Sequence, residues 1–470
     1  MNIFFKKNII EVKLEKKLNL TTSPVSNLLK RIAIPASTGS LFQVLFNLVD
    51  TFYAGTISPE ALAALAKSFP LYFLIVASGI GIVAGSNALI GNSLGERNKI
   101  AASIYIYNTI IYAFLLSIII TFIGLYFSYD LLNLMSNNTQ NALLAKRYTD
   151  IIFLGTFIFL IQSSFNSVLN AQGDTKTYRN VLIIGLIFNI ILNPIFIFGF
   201  FIIPAFGIAG LAISTILIQF VACIYLFYKV NKTEIRIIIK IDNFTFRKNF
   251  FLNIANQSIP ITFALFLVSI GSYMVLFFIS IFGDEAIAGY GAAVRFEHLF
   301  TLPVIGLNTA VISIAGQNFG ARRYDRVKEV YYKAIFIGTL VMCFAGFIIF
   351  IFSNQIVAIF SSNPDVINYG STYLKIAAFI GPIYPVFFIS HALFTSLKKT
   401  SFIFYSNLFR MIIIPFLIIW TVLNIMDGNF KDIFYGLLIM NWTLGFIMLL
   451  LARGLMIKTF KEDKKLFFFI

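Results

Sequence analysis

The sequence predicts an all-α polytopic membrane protein, with twelve transmembrane helices in two six-helix bundles related by a pseudo-two-fold axis along the membrane normal. Three observations lead there. Of 470 residues, 59% are hydrophobic and only 12% charged, about half the charge of a soluble chain. The apolar residues fall in long runs broken by short polar or Gly/Pro segments. The chain also matches itself at a constant offset of 225 residues. A disordered chain, a disulfide scaffold and an ordinary cytosolic enzyme are excluded.

A helix crossing the hydrocarbon core needs about 20 mostly apolar residues. Such runs lie at 29–53, 62–93, 102–128, 143–170, 178–199 and 205–229, then at 250–281, 286–317, 329–353, 367–396, 401–425 and 433–455. The longest imply tilt or projection beyond the bilayer, not extra spans. The expected organisation is an N-terminal segment 1–28, a first bundle 29–229, a basic amphipathic linker 230–249, a second bundle 250–456 and a tail 457–470.

Charge gives the orientation. Lys+Arg number 36 against 20 Asp+Glu, a net +16. Seven basic residues from Lys6 to Arg31 precede or open the first span, and every second loop is basic: Arg97 and Lys99; Lys176 and Arg179; Lys229 to Lys248; Arg322 to Lys328; Lys398 and Lys399; Arg453 to Lys465. The loops between hold Glu60, Asp130, Asp284, Glu285, Asp365 and Asp427, with Lys146, Arg147 and Lys431 as exceptions. The positive-inside rule then places both termini in the cytoplasm of a multi-pass protein of the cell (inner) membrane. The basic excess is a topology signal, so nucleic acid is not expected as a partner. The Lys-rich start lacks a short apolar core with a cleavage site and does not read as a signal peptide. It reads as a solvated cytoplasmic start or as a segment drawn to anionic lipid. Cys223 and Cys343 fall inside spans and read as small apolar residues.

The internal repeat divides the chain. At the offset of 225, Ile34-Pro35 falls on Ile259-Pro260, Gly81 on Gly306, and Gly91, Gly95 and Arg97 on Gly316, Gly320 and Arg322. Tyr148 falls on Tyr373 and Thr175 on Thr400. Six spans per half insert both halves the same way up, with a cavity between them, as in a secondary transporter working by alternating access.

Few polar groups interrupt the spans, and those are the candidate site. Ser40, Gln43, Asn47 and Asp50 share one face of the first span. A carboxylate in mid-membrane costs about 3 kcal/mol or more and calls for a proton or a cation, unless it lies near the outer end of the span and reaches headgroup water. Pro35 removes a backbone hydrogen bond and invites a gating kink, as does Pro260 in the other half. Asn189 and Asn193 lie one turn apart on the fifth span, Thr215 and Gln219 on the sixth, and Gln162, Asn166 and Asn170 on the fourth. Such groups complete a cation shell or bond neighbouring helices. In the second half Val275 stands where the first has Asp50, and the ionisable groups are Arg295, Glu297, His298, His391 and Arg410. Glu297 reads either as a second site or, more simply, as the neutralising partner of Arg410 or Arg295. Gln43, Asn47, Gln162, Glu297, His391 and Arg410 are the candidate substrate-cavity residues. The 55 Phe and 21 Tyr offer cation–π faces to flat cations, although more of them face lipid.

These residues resemble the multidrug and toxic compound extrusion (MATE) family over nearly the whole chain. The resemblance is carried by Gln43-Val44-Leu45-Phe46-Asn47-Leu48-Val49-Asp50-Thr51, by Ala61-Leu62-Ala63-Ala64-Leu65, and by Gly91-Asn92-Ser93-Leu94-Gly95 with its repeat Gly316-Gln317-Asn318-Phe319-Gly320-Ala321. Asn189-Ile190-Ile191-Leu192-Asn193-Pro194 is a further match. It implies an antiporter that exports organic, often cationic, small molecules in exchange for H⁺ or Na⁺. No cofactor is implied, and no metal beyond a Na⁺ at Asp50. Asp50 matches the family's first-span acidic residue, Asn189 the fifth-span Asn, and Thr215 the sixth-span hydroxyl. Asn193 replaces an Asp found in other members. The seventh-span Glu and tenth-span Asp of NorM-type members are absent, with Val268 and Pro385 near those places, so coupling is expected in the first half, as in DinF-type members. The rival readings are a lipid-linked oligosaccharide (polyisoprenoid) flippase, which would gather Arg295, Arg410 and Lys67 in one cavity, and a passive channel. A monomer in the lipid bilayer is expected.

Overall fold

The computed structural model describes residues 19–136, 139–233, 235 and 246–460. Most of the expected N-terminal segment, linker and tail lies outside them. The described residues form helices α1 (Val25–Ile57), α2 (Pro59–Gly95), α3 (Lys99–Leu134), α4 (Thr139–Leu154), α5 (Thr156–Ala171), α6 (Lys176–Phe198) and α7 (Ile208–Asn231) in the first half. The second half holds α8 (Lys248–Ile279), α9 (Asp284–Gly320), α10 (Tyr324–Ala358), α11 (Pro364–Ile380), α12 (Tyr384–Ser396), α13 (Ser401–Asn407), α14 (Ile414–Asn424) and α15 (Phe430–Phe460). No strand occurs among the described residues; one isolated bridge, Phe200–Ile203, closes a turn.

Eleven of these stretches are long and apolar enough to span a bilayer, and α4 with α5 makes the twelfth, bent by 45°. The sequence predicts one run at 143–170. The break comes at Gly155, where an added Cβ would lie 2.6 Å from the Ile216 side chain of α7. The eleventh span also departs from a plain helix: Leu408–Ile413 forms a π-helical turn around Arg410. Turns of this kind cluster where a side chain needs a particular aim.

Local chemistry sets the helix ends. Ser58 accepts a hydrogen bond from the Ala61 amide at 3.1 Å ahead of Pro59, and Asn98 accepts from Ala101 at 2.9 Å. Both are side-chain caps for otherwise unpaired amides. On the face that carries the basic loops, four chain reversals use the left-handed region, and they pair by the repeat. Arg97 has φ 59° and Arg322 56°, while Gly173 has 80° and Lys398 61°.

The halves join along α2 and α9. Lipid gives helices no hydrophobic reason to associate, so small residues and amides must hold them. Gly81 passes the Ser258 carbonyl and Gly306 the Ala33 carbonyl. Ser258 lies one repeat beyond Ala33. At the basic end Gly95 lies on the Gln317 carbonyl and Gly320 on the Asn92 carbonyl, and a Cβ at either would overlap the oxygen. Amides lock the same level. Asn92 Nδ2 donates to the Ser396 carbonyl at 3.1 Å, and Gln317 Nε2 to the Ala171 carbonyl at 2.7 Å. The Phe73–Phe266 ring contact, with centroids 6.2 Å apart, marks the other limit of the seam near mid-span. Among the described residues, the side-chain bonds between halves run from there to the basic ends, so the halves are closed on the basic face.

Candidate functional site

Asp50 sits on α1, 8% exposed, facing α6. Asn189 and Asn193 are one turn apart on α6, and both aim their amide nitrogens at the same oxygen. Asn189 Nδ2 donates to Asp50 Oδ1 at 2.8 Å and Asn193 Nδ2 at 3.0 Å. The hydroxyl that continues the network is Ser214 of α7, which donates to Asn193 Oδ1. Its neighbour Thr215, the residue expected from sequence, is also buried, but its Oγ1 has no hydrogen-bond partner; neither has Asn189 Oδ1. The one-residue difference is a matter of helix rotation. Adjacent residues point about 100° apart, and of the two it is Ser214 that makes the hydrogen bond to α6.

The other polar residues of α1 divide. Gln43 is half-buried and Asn47 exposed, while Ser40 and Thr51 return their hydroxyls to the carbonyls of Ala36 and Asn47. Gln162 is buried on α5 with its Nε2 unpartnered. Pro35 and Pro260 lie inside α1 and α8, which continue as helices through them.

The second half builds a different centre. Glu297 of α9 is 5% exposed and accepts hydrogen bonds from two tyrosines, Tyr373 on α11 and Tyr384 on α12, the latter at 2.7 Å. Among the described residues Glu297 makes no direct ion pair with Arg410 or Arg295, the charges it was expected to neutralise; these hydroxyls take its oxygens. Arg410 lies over Phe387 at 3.9 Å and over Tyr384 at 5.3 Å, and its Nε donates to Asn441 Oδ1 at 3.0 Å. Tyr384 thus stands between carboxylate and guanidinium, and Arg295 is exposed. The π-helical turn aims Arg410 inward, which straight-helix periodicity does not show. His391 pairs with Ser406 across 3.2 Å.

The repeat relates the two centres. Glu297 occupies the position of Tyr72, Val275 that of Asp50 and Tyr373 that of Tyr148. The acidic group has moved from the first span of one half to the second span of the other, while the tyrosine stays. Sequence reasoning missed Ser214, Tyr373 and Tyr384. The Tyr148–Tyr373 match in the repeat was the one available signal.

Two amide N–H groups on one carboxylate oxygen are charge-assisted bonds that favour the ionised form. Amide nitrogens cannot ligate a cation. Oxygens for one would have to come from Asp50 Oδ2, Asn189 Oδ1 and Thr215 Oγ1. Among the described residues, no three His, Cys, Asp or Glu side chains gather as a metal site. The cations that a diphosphate-lipid site would need do not converge. Lys67 donates to Ser136 at 3.1 Å, Arg295 is exposed, and Arg410 is held by Asn441 and the rings.

Two repeated six-span halves, with one buried acidic centre in each, are the architecture of a secondary transporter. The chain belongs to the MatE family, whose model matches twice, over residues 35–195 and 260–421. The two matches begin on the repeat prolines. Among relatives, it is 28% identical over 399 residues to the probable multidrug resistance protein NorM of Thermotoga maritima, covering 83% of this chain and 82% of that one. It is 29% identical to the probable multidrug resistance protein YoeA of Bacillus subtilis (66% and 67% covered), and 26% identical to an FAD transporter of Shewanella oneidensis (66% and 69%). The fold matches a MOP superfamily transporter from Pyrococcus furiosus with a TM-score of 0.88, at 22% identity, over 95% of this chain and 99% of that one. An outward-facing multidrug resistance MATE family transporter gives the same values.

Proposed function

We propose that this MATE family transporter is a multidrug exporter that moves organic cations or amphipathic molecules out of the cell in exchange for protons, with the basic face in the cytoplasm. The carrying observation is the pair of amide nitrogens on Asp50 Oδ1. Both partners offer donors, which stabilise the ionised carboxylate and leave Oδ2 for a proton. Protonation then weakens both bonds at once and loosens α1 from α6. A coupling ion acts only through its different affinity for the two states, and this carboxylate is where that difference arises. Coupling in the first half is the DinF-type arrangement. Glu297, already engaged by two tyrosines, orders the second half. The flippase reading is not favoured, because its three cations stand apart. A Na⁺-coupled reading rests on Asn189 Oδ1 and Thr215 Oγ1, two buried oxygens without partners.

The test is efflux of an ethidium-like dye from vesicles with an imposed ΔpH or ΔNa⁺. A proton gradient alone should drive efflux, and Asp50→Asn should abolish the dependence in a folded, inserted protein. Efflux driven by ΔNa⁺ alone would select the sodium reading. Unchanged, gradient-dependent efflux in Asp50→Asn would overturn the site.

A further inference from the structure

A cavity of about 560 Å³ opens on the basic face between the halves, with Tyr105 on the first-half side and Gln257, Ile259, Lys398, Lys399 and Phe402 on the second. Its repeat mate in the first half is the seat beside Ile32 and Gly173, and that seat is filled. Leu20 is 2% exposed there, lies 3.0 Å from where a Cβ on Gly173 would be, and offers its carbonyl to Asn318 Nδ2 at 3.0 Å.

The two seats differ in charge. Gly173-Asp174 of the first half becomes Lys398-Lys399 in the second. Asp174 accepts the Thr177 amide at 3.0 Å and starts α6. A lysine cannot accept, and its charge opposes a helix start, so Lys399 does not serve the following helix. Lys398 holds φ 61°, a left-handed conformation that L side chains other than glycine, Asn and Asp rarely adopt. Among the described residues neither ammonium has a hydrogen bond or an ion pair, and burial holds the Lys398 ammonium below its ordinary value, with the Glu96 carboxylate opposing. Gln257 is buried, donates through Nε2 to the Lys398 carbonyl at 3.3 Å, and leaves its Oε1 unpartnered. Two ammonium groups without a hydrogen bond or ion pair among the described residues, beside an unused acceptor, suit an anion that also carries a donor. Ile259 and Phe402 are 44% and 42% exposed, and Phe263 continues the apolar path one turn along α8.

We propose that this cavity binds the phosphodiester headgroup of an anionic phospholipid, with phosphate on Lys398 and Lys399, a headgroup hydroxyl donating to Gln257 Oε1, and acyl chains along Ile259 and Phe402. A free phosphate shares the first contact but has no use for the apolar path. Because both halves line the cavity, the lipid binds the arrangement closed on the basic face better than one in which the halves have parted.

The test uses the purified full chain in detergent, following its unfolding temperature and lipid adducts by native mass spectrometry. The additives are phosphatidylglycerol, phosphatidylcholine and inorganic phosphate. Phosphatidylglycerol should bind and protect where the other two do not. K398A/K399A should weaken that binding at least tenfold, and K398R/K399R should retain it. K398G/K399D, which copies the first half's own residues and relieves the left-handed lysine, should fold and also lose it. Equal protection by phosphatidylcholine, equal protection by inorganic phosphate, or undiminished phosphatidylglycerol binding in K398G/K399D would each overturn the proposal.

Discussion

Gln317 stands one repeat after Asn92, and the two amides make the same bond in opposite directions: Asn92 to the Ser396 carbonyl and Gln317 to the Ala171 carbonyl. Ser396 is itself the repeat mate of Ala171. Duplication has thus produced a two-point latch across the seam, on the face that must part if the transporter is to open there.

Removing either latch amide should favour opening on the basic face. An intramolecular hydrogen bond contributes about 0.5–1.5 kcal/mol, so Asn92→Ala or Gln317→Ala should shift the closed-to-open ratio by roughly 2–13-fold, and the pair by more. Spin labels on α2 and α9 near the basic ends should report a longer-distance population. Gly320→Ala should act more strongly, since its methyl would enter the Asn92 carbonyl.

Ser214 should matter more than Thr215. Ser214→Ala frees Asn193 to rotate away from Asp50, and hydrogen bonds to a charged group are worth about 1.5–3 kcal/mol. Proton-driven efflux should fall about tenfold or more, while Thr215→Val should change it little. The reverse order, measured in the same vesicles, would assign the role to Thr215.

Tyr373 and Glu297 should be coupled energetically. Tyr373→Phe leaves a buried carboxylate with one donor, at a cost of about 1.5–3 kcal/mol. Glu297→Gln removes the charge that needs both. In a double-mutant cycle on thermal unfolding, the second change should cost much less once the first is made.

Orientation can be read by labelling. In a background with Cys223 and Cys343 replaced, a cysteine at Lys399 should react with a membrane-impermeant maleimide only after permeabilisation, and one at Gly428 in intact cells. The loops alternate in charge because lysine and arginine resist translocation.

Much of the fold was legible because lipid allows so few solutions. Length and apolarity located the spans, including the fourth, though not its bend at Gly155. Asp50, Asn189 and Asn193 were legible too, since polar groups are conspicuous in apolar runs. The Tyr373–Glu297–Tyr384 cluster was not. Tyrosine is common here, and nothing local distinguishes the two that meet Glu297 from the others.

By itself the sequence determined the number of spans, their division into two halves and the short list of polar groups that lipid would not tolerate. These follow from hydrophobic length, from charge in alternate loops and from a constant repeat offset, all one-dimensional quantities. The tertiary structure alone decided which hydroxyl reaches Asn193, that tyrosines and not arginines answer Glu297, and that the halves meet on the basic face. Those outcomes depend on helix rotation and on the aim of side chains far apart in sequence, such as Asp50 and Asn189, 139 positions apart. Spacing along one helix carries no record of either.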